Sequence, residues 1–158
     1  MGGQNHYLSA GGFSQYLYHT EGETAVINGL RVKVVAKIDE SDHHSGLPFY
    51  SNTSDVYLKI EHKGTEVEQA IVYQNRKAVL EFDWGHNHSG KNGHPSFKKG
   101  EVHVHELHQV DEIVRRNTKV QPRWMNTEEM AKYGDIIRFA NPNAKMRKIC
   151  MDRDNDKQ

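Results

Sequence analysis

The chain has 158 residues, and its 21 basic and 21 acidic side chains leave it with no net formal charge. This balance argues against a general binder of nucleic acid or of anionic membranes. The mean hydropathy is −0.85, and no apolar run approaches the roughly 20 residues of a membrane span, so a soluble protein is predicted. The single cysteine, Cys150, excludes an internal disulfide and a cysteine-based zinc knuckle.

The length predicts one domain with loose ends. Residues 1–12 are polar and rich in glycine, which predicts a flexible N-terminal arm. Residues 13–149 form the predicted single domain, and the polar residues 150–158 a disordered tail. No basic segment followed by an apolar one opens the chain, so we predict no secretory signal and expect a cytoplasmic location.

A first hairpin is predicted at Asn28-Gly29, which lies between two β-rich runs. Both residues tolerate the positive φ of the tight turns that hairpins favour. In the run after the turn, apolar side chains alternate with Arg31 and Lys33, and Val35 is the exception. This alternation predicts a strand that buries one face.

The run 56–73 predicts a second hairpin, with its turn at residues 62–64. The next strand is predicted over residues 78–84. Its core face carries three large apolar side chains, namely Leu80, Phe82 and Trp84. Its other face carries Val79, Glu81 and Asp83.

A further strand is predicted over residues 101–107, beyond a long loop rich in glycine, histidine and lysine. Val102 and Val104 are expected to face the core. The two-residue period of a strand then turns Glu101, His103 and His105 away from the core, in one common direction.

The C-terminal third predicts a helix. Asn126 and Glu129 have the spacing of a capping box at its start, and Asn141-Pro142 ends it. A run of strands followed by one helix indicates the α+β class. We therefore predict a mostly antiparallel β-sheet or partial barrel with one C-terminal helix.

Two His-x-His pairs flank the long loop and suggest a metal site. If strands 78–84 and 101–107 pair as neighbours, imidazoles and carboxylates converge at one end of the sheet. Imidazole is the commonest biological ligand of zinc, and a carboxylate can complete the shell. The metal hypothesis, with zinc as the first choice, therefore rests on the following residues: His86, His88, His103, His105, Asp83 and Glu101.

The same histidines suggest a metal-independent ribonuclease as an alternative. Two imidazoles near their ordinary pKa of about 6.5 can act as general base and general acid at neutral pH. His103 and His105 would take these roles on an RNA substrate, and Lys98 or Lys99 would stabilise the charge that develops on the phosphate.

A third interpretation gives the histidines no chemical role, because imidazoles on the solvent face of an antiparallel strand are common.

The chain resembles small uncharacterised modules of phages and prophages of Gram-positive bacteria. Two stretches carry this resemblance, namely SDHHSGLPFYSNTSDVYLK (41–59) and GEVHVHE…RWMNTEEMAKYGDIIRFANPN (100–106 and 123–143). Some of those modules are associated with head genes, and others are toxin-like effector domains. The resemblance implies a phage-associated protein with phage proteins or RNA as partners, including a structural or interaction role without enzymatic activity.

Overall fold

A computed structural model describes residues 18–20, 24–37, 50–51, 53–60, 65–88, 96–110, 113–117 and 119–146. These residues form eight strands and one helix, in the order β1 (Tyr18–Thr20), β2 (Ala25–Ile27), β3 (Leu30–Lys37), β4 (Val56–Ile60), β5 (Val67–Gln74), β6 (Lys77–Asp83), β7 (His103–Val110), β8 (Ile113–Arg116) and α1 (Thr127–Ala140). The predicted arm 1–12, the predicted tail 150–158 and the predicted turn 62–64 lie outside the described residues.

The strands form one sheet in the order β1-β3-β4-β5-β6-β7-β8, and β2 pairs with β3 as well. Both β1 and β2 use the edge of β3 that faces away from β4. All pairings between these strands are antiparallel except that of β3 with β4. Within the described ranges the sheet is open and not closed into a barrel. The predicted α+β class, mostly antiparallel with one C-terminal helix, is confirmed.

Two tight turns determine how neighbouring strands pair. The predicted turn between β2 and β3 is confirmed, because Asn28 and Gly29 have φ angles of 52° and 80°. A second turn of this kind joins β5 to β6, where Asn75 and Arg76 have φ angles of 51° and 69°. Positive φ at both positions matches the turn to the right-handed twist of the two strands.

One face of the sheet forms the larger hydrophobic core. Phe82 and Trp84 of β6 lie there with Val104 of β7 and with apolar residues of β3, β4 and β5. Helix α1 covers this face with Tyr133, Ile136 and Ile137, and the ring centroids of Tyr133 and Phe82 are 5.6 Å apart. The predicted core face of residues 78–84 is therefore confirmed.

The start of α1 carries the predicted capping box. The Asn126 side chain accepts a hydrogen bond from the Glu129 backbone N–H, and the Glu129 side chain accepts one from the Asn126 N–H. Arg123 donates to the Glu129 carboxylate at 2.8 Å and to Glu106 of β7 at 2.9 Å. This ion-pair network ties the helix start to the sheet beside β7.

The opposite face is also buried, which corrects the prediction of half-buried strands. Val35, the exception in the alternation of β3, packs in a second cluster with Tyr57, Ile71 and Val114. A register shift between β5 and β6 also turns Val79 toward the larger core, although the alternation predicted the other face. The second face additionally buries polar side chains, namely Lys59, Gln69, Glu81, Asp83, His103 and His105.

Of the helical segments in the described part of the chain, none combines the length and the apolar character that crossing a membrane demands.

Candidate metal centre

The candidate site lies on the second face, where β6 pairs with β7. Asp83 lies opposite His103 in the antiparallel register, and Glu81 lies opposite His105. The two strands therefore pair across the long loop, which is the condition on which the metal hypothesis depended. Because side chains directly opposite each other share a face and lie close together, this register brings two carboxylates and two imidazoles together.

Three of these side chains have the geometry of a metal site. One ligand atom each of Asp83, His103 and His105 lies within 4.8 Å of the other two, so this group could hold a metal ion. The three residues are 4%, 0% and 9% exposed. The prediction that the two histidines lie on a solvent-facing surface is therefore wrong. Phe97 covers His103, with a distance of 4.8 Å between nearly parallel rings.

His103 presents a free nitrogen lone pair inside the protein. Its Nδ1 lies 3.3 Å from the backbone carbonyl oxygen of Glu101, which can only accept a hydrogen bond. The proton is therefore on Nδ1, and Nε2 is the unprotonated nitrogen. Nε2 is buried and has no hydrogen-bond partner in the part of the chain that the structure describes. Such an imidazole, held by one nitrogen and open at the other, is the usual state of a histidine that binds a metal.

Both histidines of the three-residue group favour the neutral form that metal binding requires. Burial lowers the pKa of His103, although the nearby carboxylate of Asp83 opposes this shift. The pKa of His105 falls to about 4, first because of burial and then because of the positive charge of Arg116. At neutral pH a cation therefore does not have to displace a proton from His105.

Asp83 supplies the negative charge of the group. Its Oδ1 accepts a hydrogen bond of 3.2 Å from the backbone N–H of Gly85, and its Oδ2 lies 3.8 Å from Nε2 of His86. A side chain at position 85 would collide with Glu68, since its Cβ would lie 2.7 Å from the Glu68 Cβ. Glycine therefore allows the chain to turn directly after Asp83. The His86 side chain is 64% exposed and lies at the rim of the site.

His88 lies beside the three-residue group without belonging to it. Its backbone forms two hydrogen bonds with Phe97, of 2.7 and 2.8 Å, which hold the two sides of the long loop together. The His88 ring centroid is 5.4 Å from that of His103 and 6.2 Å from that of His105. The structure thus brings all four predicted histidines to one region, with His86 and His88 on its outer side.

The other predicted site residues lie apart from this group. The Glu101 carboxylate accepts a hydrogen bond from the Lys98 backbone N–H at 2.8 Å, within a turn. The Lys99 backbone N–H donates to Asn87. Lys99 also lines a groove together with Trp84. The Trp84 side chain belongs to the larger core, on the opposite face of the sheet from the candidate site. Both lysines are exposed.

Sequence reasoning missed an ion pair next to the site, between a half-exposed arginine and a buried glutamate. Arg116 of β8 donates to both oxygens of Glu81, from Nε at 3.0 Å and from Nη2 at 2.8 Å. Gln69 of β5 donates to the same carboxylate. The only sequence signal was the run Ile113–Arg116, whose four residues do not alternate and are too few to predict a strand.

The donor set of two imidazoles and one carboxylate suits a limited group of metals. Zinc in catalytic sites has three protein ligands of this kind, and mononuclear iron centres also use two histidines and one carboxylate. No protein-family model matches the chain, and neither a curated protein nor a solved structure was found to be similar to it. The chemistry must therefore be argued from the residues themselves.

Proposed function

We propose that this protein binds one divalent metal ion, zinc in the first instance, through Asp83, His103 and His105. Two observations carry the proposal. The buried Nε2 of His103 has no hydrogen-bond partner among the described residues, and one ligand atom each of Asp83, His103 and His105 lies within 4.8 Å of the other two. A buried acceptor without a partner costs about 1–3 kcal/mol, and a metal ion would remove that cost.

The charges of the site support a cation over a neutral ligand. Asp83 is 4% exposed, and its carboxylate has only a backbone N–H and the rim residue His86 as close partners in the described residues. A buried carboxylate is costly unless it is paired. A divalent ion bound between Asp83 and the two imidazoles would neutralise it in place.

The ribonuclease hypothesis stays a prediction and is the weaker one. An imidazole with a pKa of about 4 is unprotonated at pH 7 and is a weak base, so His105 is poorly suited to transfer protons at neutral pH. Lys98 and Lys99 are exposed, and their backbone N–H groups donate to Glu101 and to Asn87, respectively, not to a histidine. The association with phages likewise stays a prediction.

The test measures zinc content and the melting temperature, with and without EDTA. We expect one equivalent of zinc in the wild type. Zinc at a hundred times its dissociation constant stabilises a fold by about 2.7 kcal/mol, so EDTA should lower the melting temperature by roughly 5–10 °C. The variants Asp83→Asn and His103→Gln should each weaken zinc binding at least about 100-fold.

His108→Gln is the matched control, because His108 lies on the same strand but outside the group. It should bind zinc as the wild type does. Asp83→Asn preserves shape, so it keeps the test informative even where His103→Gln fails to fold. Wild-type protein that takes up no zinc and melts at the same temperature in EDTA would overturn the proposal and favour a structural role.

A further inference from the structure

Arg116 offers a hydrogen-bond donor beside the candidate metal centre. Two of its three guanidinium nitrogens, Nε and Nη2, are held by Glu81. The third nitrogen, Nη1, has no hydrogen-bond partner among the residues that the structure describes. The side chain is 50% exposed, so this free edge of the guanidinium is open to solvent.

The ion pair holds this donor at a fixed place relative to the metal ligands. Glu81 lies opposite His105 in the β6–β7 register and is 5% exposed. Gln69 donates to the same carboxylate from the other side, so Glu81 cannot turn away without losing partners. The charge of Arg116 acts on both Asp83 and His105, which places it within interaction range of the centre.

The charge of the assembled site selects the kind of ligand. With neutral imidazoles, two carboxylates and one guanidinium carry one net negative charge. A divalent cation turns this into one net positive charge. Three protein ligands also leave at least one coordination position of the ion unfilled, since zinc takes four ligands and other divalent ions up to six. An anion would neutralise this positive charge and fill the open coordination position.

We infer that the metal centre, once loaded, binds a phosphate oxyanion between the ion and Nη1 of Arg116. A phosphate group offers up to three acceptor oxygens, so one can contact the ion while another accepts from the guanidinium. Arginine is suited to this task because its planar group keeps its donors at fixed angles. The inference rests on the proposed metal site and names the class of ligand that this site takes.

The experiment uses the full chain loaded with Co²⁺, whose visible absorption reports the ligands of the ion. Inorganic phosphate is titrated at constant ionic strength, with chloride as the control anion. We expect phosphate, and not chloride, to change the spectrum in a saturable way. Arg116→Lys should weaken phosphate binding about tenfold or more, because an ammonium cannot contact Glu81 and the anion with the same geometry.

Arg115→Lys is the matched control, because Arg115 is the exposed neighbour that points to the other side of β8. It should bind phosphate as the wild type does. A dinucleotide serves as a second titrant. Tighter binding of the dinucleotide than of phosphate would identify nucleic acid as the source of the phosphate group, and the reverse order would identify free phosphate. Either order supports the inference.

Two outcomes would overturn the inferred phosphate site without contradicting the proposed metal site. The Co²⁺ spectrum could be unaffected by phosphate, which would mean that phosphate does not enter the coordination shell of the ion. Phosphate could also bind equally well to the wild type and to Arg116→Lys, which would remove Arg116 from the site. Failure to bind Co²⁺ or zinc at all would instead contradict the proposed function itself.

Discussion

The two faces of β6 differ in chemistry while being buried to a similar degree. Toward the larger core the strand presents Phe82, and Trp84 follows on the same side, under helix α1. Toward the second face it presents Glu81 and Asp83, which are also buried. One face therefore stabilises the fold by removing apolar surface from water. The other holds charged groups that need specific partners, and this is the face with the potential for function.

On the second face, Glu81 and His103 differ in their hydrogen-bond partners. Glu81 is satisfied by Arg116 and by Gln69. The buried Nε2 of His103, which lies opposite Asp83 in the register, has none among the residues that the structure describes. Buried polar groups in native proteins are nearly always hydrogen-bonded, so an exception marks a strained or a functional position. The apolar face thus stabilises the fold, and the polar face carries the three residues that we propose to bind a metal ion.

The largest expected effect comes from the apolar face. Phe82→Ala should lower the free energy of unfolding by about 3–5 kcal/mol, because it removes a fully buried ring and leaves a cavity beneath α1. The measurement is urea denaturation, with zinc and with EDTA. The loss should be the same in both conditions, since the ring points away from the metal ligands. A loss of stability that appears only with zinc would contradict the idea that the two faces act independently.

The polar face should make stability depend on pH in a predictable direction. The pKa of His105 is about 4 in the folded protein, against about 6.5 in an unfolded chain. Above pH 6.5 both states are neutral, and the contribution of His105 is fully present. As the pH falls from 6.5 toward 4, only the unfolded chain gains the proton, so stability decreases. The expected loss is on the order of 1–3 kcal/mol.

The measurement is the free energy of unfolding in EDTA between pH 7.5 and pH 4, for the wild type and for His105→Gln. Carboxylates titrate in the same window, so the difference between the two curves isolates the histidine. That difference should shrink as the pH falls. A constant difference between wild type and His105→Gln would contradict the lowered pKa.

The smallest expected effect lies at the start of α1. Asn126→Ala removes the side chain that accepts the Glu129 N–H at 2.8 Å, and the loss should be about 1 kcal/mol. For a chain of this size that corresponds to a fall of roughly 2–4 °C in the melting temperature. Zinc affinity should not change. A cap variant that loses zinc would show that the helix and the site are coupled across the sheet.

The sequence was sufficient for the elements whose signals are local. Asn28-Gly29 predicted a hairpin because few other pairs tolerate two positive φ angles, and Asn126 with Glu129 predicted the helix start because the capping box is a contact between near neighbours. The pairing of β6 with β7 could only be assumed, because alternation fixes the faces of two strands but not their partners or register. Under that assumption Asp83, His103 and His105 fall into one candidate site.

The remaining features depend on contacts that no local pattern encodes. The second face is buried because other residues pack over it, as Phe97 does on His103. Alternation alone cannot distinguish a polar face that is covered in this way from one that is exposed to solvent. Arg76 adopts a positive φ that is uncommon for a side chain of its kind, so the turn before β6 was not recognised. Arg116 became relevant only because the short strand β8 sets it beside Glu81.

The pairing of Asp83 with His103 also has a consequence for the way the chain is held together. The sequence contains a single cysteine, so no disulfide within the chain can join distant segments. An ion bound by both residues would close the loop of roughly 20 residues between them, much as a covalent cross-link does. Closing a loop of about 15 residues stabilises a fold by about 3 kcal/mol in the chain-entropy description. Here the link would be reversible, forming and opening with the supply of metal.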